Sequence, residues 1–535
     1  MKAKKTFLIV VVTVLCMGKV NSQIVSLVDT ILYTQTTEQE DDEMTEEEYS
    51  ELASLFAVDV QMMGNTRESY DNYQSTRLRL PFSSSTVLTL NTFPNRNTDI
   101  NKILVIVNSS IYNQLSEKIE RYAYDINYVY GCEVIMKIVT GGDHTNIKSL
   151  ITSNKTNLDG AVFIGDIAAA FYEVANDYDG YAGWEDKEGY GYAEFPCDLY
   201  YMDLDGTWTD ADGDGKYDAH TGNVKPEIFV GRISTANMGK LLSEKEGLES
   251  YLDKNHKFWM GYTTVNKKFG LTYTDTDIWA ANNHFKTDIK KLYGSSNYDI
   301  VKYGDAVFGK TDYLDRLTDN RYEFIQLACH ASYDHLGMSG GGIYSNEIFN
   351  NDIQSIGYNL YCCSACNWTV VLPNSSQGFL AGSHVYNTSN SSLVVVGSAK
   401  TGGMLKFAKF YTPLGNSKTM GESLKQWWIN ANGNSHANKI IYYHYGMTII
   451  GDPMVNFFHC TDCVSQITLN SFDNSNPSSH RYIIARDRII VNNYVIPAGK
   501  HVIFNAKEVE FNSGFECQLG GSFEVINEGC MSNCQ

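Results

Sequence analysis

The sequence predicts an α/β protein with two blocks of mostly parallel sheet, followed by a small all-β module. Two observations lead to that class. From about residue 100, short apolar runs rich in β-branched residues alternate with helix-length stretches, as in parallel βαβ units. After Cys463 the alternation stops, and polar and apolar residues alternate with no helical period. With 535 residues, 43% of them hydrophobic and 13% aromatic, the chain has the apolar side chains for a large core.

In the first block, KILVIVN at 102–108 reads as a buried strand and 111–126 as a helix. A second strand is expected at 133–140, a helix at 144–154, and a third strand in AVFIG at 161–165. An acidic, loop-rich stretch runs from 166 to about 224. EIFVG at 227–231 then resumes the sheet, and 238–254 reads as a helix. The second block has strands at 269–273, 324–328, 358–361 and 393–396, with a helix at 280–292. The tail, 465–535, is a string of short strands with Gly and Asn turns. The expected organisation is a signal peptide at 1–22, an acidic leading segment at 23–95, α/β blocks at 96–255 and 256–460, and the β module at 465–535.

The formal charge of −20 argues against a nucleic-acid partner, which needs clustered Lys and Arg, and suits cation binding. Lys2, Lys4 and Lys5 followed by an apolar run at 7–17 read as a signal peptide, with cleavage expected before Gln23. Export to the periplasm, the cell surface or the medium follows, and no later segment has the 18 consecutive apolar residues of a membrane span. The run TTEQEDDEMTEEEYS at 36–50 reads as a solvated stretch or a pro-piece, released by a cut near Arg67 or Arg77. Beyond the leader, 11 of the 12 cysteines remain, an odd number that leaves at least one thiol free or paired between chains. Cys460 and Cys463 form a CxxC, and Cys517, Cys530 and Cys534 cluster near the end.

Asp210-x-Asp212-x-Asp214-Gly215-x-x-Asp218 places oxygen ligands at alternate positions around a turning glycine, as a hard cation requires. Asp210, Asp212, Asp214, the Lys216 carbonyl and Asp218 are the expected ligands of a structural Ca2+; Asp203 and Asp205-Gly206 lie close enough upstream to join. Thr221 stands where an EF-hand has its closing Glu, so the loop is not a full EF-hand.

A thiol nucleophile needs a nearby base, and α/β folds place such groups beyond the carboxyl ends of strands. The strand at 324–328 ends at Cys329-His330, and the next ends in a cluster of Cys362, Cys363 and Cys366. One crossover separates them. Cys362 and Cys363 compete with Cys366 for the role of nucleophile.

These residues resemble the gingipain family of cysteine peptidases. The likeness covers roughly residues 100–458. It rests on the order His330-Ala331-Ser332 then Ser364-Ala365-Cys366-Asn367, with FIGD at 163–166, DLYY at 198–201, PEIFVGR at 226–232, VGS at 396–398 and GDP at 451–453. The resemblance implies two caspase-like α/β subdomains and cysteine endopeptidase activity on protein or peptide substrates. It implies Cys366 as nucleophile, contributing its backbone N–H to the oxyanion hole, and His330 as general base and acid. It also implies a carboxylate from the first strand of the second block, for which Asp275 is the candidate and Asp277 the runner-up. Cys329 and Ala331 stand where the family has glycines beside the His. The tail resembles β modules that follow such peptidases in Bacteroidetes-type secreted proteins. The alternatives from other classes are a non-catalytic surface protein on a peptidase scaffold and a calcium-dependent adhesin.

Overall fold

The computed structural model describes residues 69–92, 99–174, 192–263, 268–372, 374–387, 391–431, 444–458, 463–474 and 478–531. The leader, the acidic run at 36–50, Arg67, Cys460 and Cys534 lie outside them. Among the described residues no helix is long and apolar enough to cross a membrane.

Runs of nearly continuous apolar residues become interior strands because helices cover both faces of a parallel sheet. The first half has β1 (Ser83–Leu90), β2 (Lys102–Asn108), β3 (Glu133–Thr140) and β4 (Gly160–Ile164). In the acidic stretch, β5 (Phe171–Val174) pairs with β6 (Ala193–Pro196) and β7 (Thr207–Thr209) with β8 (Ala219–Thr221), both antiparallel, before β9 (Phe229–Ile233) resumes the sheet. The second half has β10 (Gly270–Thr274), β11 (Tyr298–Lys302), β12 (Phe324–Ala328), a small antiparallel pair β13 (His335–Leu336) and β14 (Ile343–Tyr344), then β15 (Gly357–Tyr361), β16 (Val394–Ser398) and β17 (Met447–Gly451).

The two expected blocks share one 11-stranded sheet in the order β1-β3-β2-β4-β9-β17-β16-β15-β12-β10-β11. The joint is β17, parallel to β9 and antiparallel to β16. The strands of the two halves therefore run in opposite senses, and their carboxyl ends lie at opposite edges of the sheet. Buried Asp452, just past β17, ties the joint to two helices. It accepts hydrogen bonds from Tyr122 of the Ser109–Tyr130 helix and from Asn255 and Trp259 of the Glu244–Trp259 helix.

The leading segment, expected to stand apart up to residue 95, is integral to the first half from Ser69 onward. β1 adds antiparallel to β3 at the sheet edge. In the Ser69–Ser75 helix, Tyr70 N–H donates to Glu194, and the Tyr73 hydroxyl accepts from the Ala169 N–H. Arg77, considered as a cutting point, is held at 2.6 Å by Asp166 with its side chain 18% exposed. A bound, sheltered arginine is a poor protease site.

The tail is a small parallel β-solenoid. β18 (Gln466–Leu469), β20 (Arg488–Val491) and β23 (Glu508–Phe511) stack in register, as do β19 (His480–Ile484), β22 (His501–Asn505) and β25 (Ser522–Ile526), while β21 (Val495–Ile496) pairs with β24 (Glu516–Cys517). Each coil advances by 20 to 22 residues. Ile489, Val491, Ile496, Val502 and Phe504 fill its interior. An asparagine ladder marks one corner: Asn492 donates to Asn470, and Asn512 to Asn492. Cys463–Cys530, 67 residues apart, joins the start of the first coil to the end of the last. Closing a loop of that length restricts the unfolded chain strongly. Cys530→Ser is expected to destabilise the solenoid by about 2–4 kcal/mol. Urea titration followed by limited proteolysis should then show the tail cut before the α/β halves.

Candidate active site

The second half positions its chemistry by strand register. β12 and β15 are parallel, with Phe324 opposite Gly357 and Ala328 opposite Tyr361. The Cys329 N–H donates to the Tyr361 carbonyl at 3.3 Å and carries the ladder one bond further. The register ends there: Cys329 and His330 follow β12, Cys362 follows β15, and residues 363–366 form a turn. Neighbouring strands lie about 4.8 Å apart, so the segments carrying His330 and Cys363 start from adjacent strand ends.

Successive side chains alternate between the two faces of the sheet. On one face the Trp279 ring lies 4.7 Å from His330 and 5.7 Å from Tyr361, centroid to centroid, which puts His330 on the Tyr361 face. Cys363 lies two residues beyond Tyr361, in the turn that follows β15. Cys329 and Cys362 belong to the other face with Tyr313, and burial pushes both thiols well up. Cys363 is followed by Ser364 at φ 55°, a left-handed conformation in a non-glycine residue, with its buried Oγ unpartnered. Backbone strain of this kind costs about 1–3 kcal/mol and collects at reactive turns.

Cys366 sits elsewhere in the turn. Its side chain is fully buried, and its Sγ would lie 2.8 Å from a Cβ placed on Gly397 of β16. Burial raises that thiol. The Cys366 N–H, expected to serve an oxyanion, donates to the Ser398 carbonyl at 2.9 Å. Gly337 packs over the His330 backbone and donates its N–H to the His330 carbonyl at 2.7 Å.

Asp275 follows β10 and shares the Tyr273 face, opposite to that of His330. Its Oδ2 accepts the Ser339 N–H at 2.9 Å, and its buried Oδ1 has no hydrogen-bond partner. Asp277, the runner-up, is exposed in the first turn of the short Asp277–Ala281 helix. Burial raises the Asp275 carboxyl from 3.8 to about 6, against the opposing pull of Ser339. A carboxyl with a higher pKa folded than unfolded binds its proton better in the folded state. The resulting stabilisation is fully present below about pH 4 and is lost as pH rises towards about 6. Asp275→Asn is expected to flatten that decline and to be the more stable protein at pH 8 by about 2 kcal/mol. Urea midpoints of both proteins between pH 4 and 8 measure it. A loss of kcat without any gain in stability would instead mark Asp275 as the carboxylate that orients His330.

Arg232, at the end of the PEIFVGR run, reaches from the first half to the cysteine turn. Its buried guanidinium holds Asp198 at 2.7 to 3.0 Å, donates to the Ile167 carbonyl, and stacks 4.5 Å from the centroid of the Trp368 ring. Asn237 donates to the Trp368 carbonyl from the same side. Neither residue stands out in the sequence as functional; the one available signal is Arg232 inside an otherwise apolar strand.

The acidic loop brings Asp210, Asp212 and Asp214 together, with ligand oxygens within 4.8 Å of one another. Backbone N–H groups of Gly213 and Gly215 donate to Asp210, and that of Asp214 to Asp212. Asp218 turns to the Ala211 N–H and groups with Glu173 and Asp212. The Lys216 side chain inserts its ammonium among Glu173, Glu194 and Asp214. Burial works against its charge, but those hydrogen bonds outweigh it and raise the lysine. Asp203 and Asp205 do not join the loop; they form a separate group with Glu227, and Asp203 binds buried His220. The clustered hard oxygens suit calcium in type.

No family model and no curated protein matches the chain. Among solved structures it is similar to the Arg-specific cysteine proteinase gingipain R, at 12% identity and a TM-score of 0.47, over 71% of this chain and 84% of that one. It is also similar to the complex of Porphyromonas gingivalis RgpB pro- and mature domains, at 13% identity and a TM-score of 0.45, over 69% and 84% of the two chains. A third structure, described only as a protease, shows 13% identity and a TM-score of 0.42 over 68% and 80%.

Proposed function

We propose that the chain is an exported cysteine endopeptidase in which Cys363 is the nucleophile and His330 the general base and acid. The observation that supports this reading is the parallel pairing of β12 with β15, whose adjacent carboxyl ends lead within two residues to His330 and Cys363. His330 takes the thiol proton as Cys363 Sγ bonds to the scissile carbonyl carbon. The C–N bond then breaks as His330 protonates the leaving amine. Water, deprotonated by His330, releases the acyl group and restores the thiol. The basic and apolar leader at 2–17 supports export.

The test is labelling with a thiol-reactive peptide ketone, mapped by mass spectrometry. The label is expected on Cys363, and lost in His330→Ala. A label on Cys366 that survives Cys363→Ala would return the role to Cys366. No label on either would favour a non-catalytic surface protein. The open last coil, where Leu519 is 100% and Phe523 41% exposed, is the feature that reading would use for binding.

Calcium in the acidic loop has a structural role in the same proposal, with Asp210, Asp212 and Asp214 as ligands, Asp218 beside them and the Lys216 carbonyl contributing. EGTA is expected to lower the thermal midpoint by several degrees, and added Ca2+ to restore it. Asp212→Asn should abolish the response to both. A midpoint indifferent to chelation would mean that Lys216 alone neutralises the loop.

A further inference from the structure

The two halves of the sheet repeat one topology. In the first, β2 is flanked by β3 on one side and β4 on the other; in the second, β10 is flanked by β11 and β12 in the same way. Such a reversal of winding opens a crevice at the carboxyl ends of the two strands that part, the usual ligand position in doubly wound sheets. Asp166, two residues past β4, holds the place that His330 holds two residues past β12. A cavity of about 260 Å³ lies at this point of the first half, reached by Asn108, Ser110, Thr140, Asp166 and Glu244 and walled by Arg77. Because the halves run in opposite senses, it lies at the opposite edge of the sheet from Cys363 and His330.

The polar groups of this cavity favour a positive charge. Arg77 already shows it: the guanidinium sits at 2.6 Å from Asp166 Oδ1 and 2.7 Å from the Tyr73 hydroxyl. That pairing also leaves no unpaired cation on the cavity wall to receive an anion. Glu244 Oε1 is buried and without a hydrogen-bond partner. It stands beside Gly165, where a Cβ would come within 3.5 Å of it and within 2.8 Å of Ile111. Gly165 adopts φ 80°, so a side chain there is disfavoured on two counts. Burial, then the Asp166 charge, push the Glu244 carboxyl up to about 7, against a hydrogen bond from the Asp166 backbone. A buried acceptor left unsatisfied costs about 1–3 kcal/mol, which a bound donor recovers.

We infer that this crevice is a second ligand site, separate from the peptidase centre, that takes a small primary ammonium between Glu244 and Asp166, with the hydroxyls of Ser110 and Thr140 around it. The volume suits an alkylamine of a few carbons, such as a lysine side chain or a free diamine.

Isothermal titration of the full chain with cadaverine, with 1-pentanol as the uncharged control, tests this. One saturable cadaverine site per chain is expected, with no pentanol binding. Affinity should fall at least tenfold in Glu244→Gln and stay unchanged in Cys363→Ala. If Glu244→Gln does not fold, Ser110→Trp, at the rim, is expected to block the site instead. Absence of saturable binding, binding unaffected by the folded variant, or displacement of cadaverine by peptide-ketone labelling would each overturn the inference.

Discussion

Cys363→Ala is expected to reduce peptide hydrolysis by about 10³-fold or more, the scale seen when a covalent nucleophile is removed. Cys366→Ala should keep activity within a small factor and lose about 1–2 kcal/mol of stability, since it removes only a buried sulfur packed on Gly397. The contrast follows from placement. Cys363 follows the end of β15, next to the end of β12 that leads to His330, whereas the Cys366 side chain packs on Gly397 of β16. His330→Ala should match Cys363→Ala to within an order of magnitude, because a base and its nucleophile act as a unit. Initial rates on a peptide library, with circular dichroism to establish folding, give the comparison. Full activity in Cys363→Ala together with an inactive Cys366→Ala would reverse the assignment.

Arg232→Ala is the second large effect. It removes one partner of a fully buried ion pair and leaves the Asp198 carboxylate with Thr448 as its remaining side-chain donor. Breaking such a pair from one side costs about 3–5 kcal/mol. The change also removes the support beneath Trp368, two residues after Cys366. The variant is expected to unfold at markedly lower urea and, where still folded, to show reduced kcat from a displaced cysteine turn. Arg232→Lys should recover little of either, because an ammonium cannot hold Asp198 bidentately while donating to Ile167. Wild-type stability in Arg232→Ala would show that water and neighbouring donors replace the guanidinium.

Much of the architecture is legible in the sequence because it depends on local pattern. Apolar β-branched runs make the interior strands, and strand–helix alternation makes the parallel sheet. The same pattern puts His330 and the Cys362–Cys366 cluster at strand ends. Which cysteine faces His330 is not legible, since a shift of one residue in register moves every side chain to the other face. The solenoid repeat escapes a reading of the sequence, although Asn470, Asn492 and Asn512 mark it at intervals of 22 and 20 residues. A coil has few invariant positions, because stacking asks only for an apolar interior and a turn. The segment from Ser69 to Leu90 has too little apolar periodicity to read as sheet, since as an edge strand β1 buries only part of one face.

The sequence by itself determined the fold class, the order of the elements and the residue types gathered at the strand ends, all set by local propensity and hydrophobic period. Only the tertiary structure decided that the halves join through β17 in opposite senses, that β12 and β15 end side by side, and that Arg77 walls a crevice at the far edge. These facts depend on which strands pair and in what register, and that is selected by burying side chains from distant parts of the chain against one another.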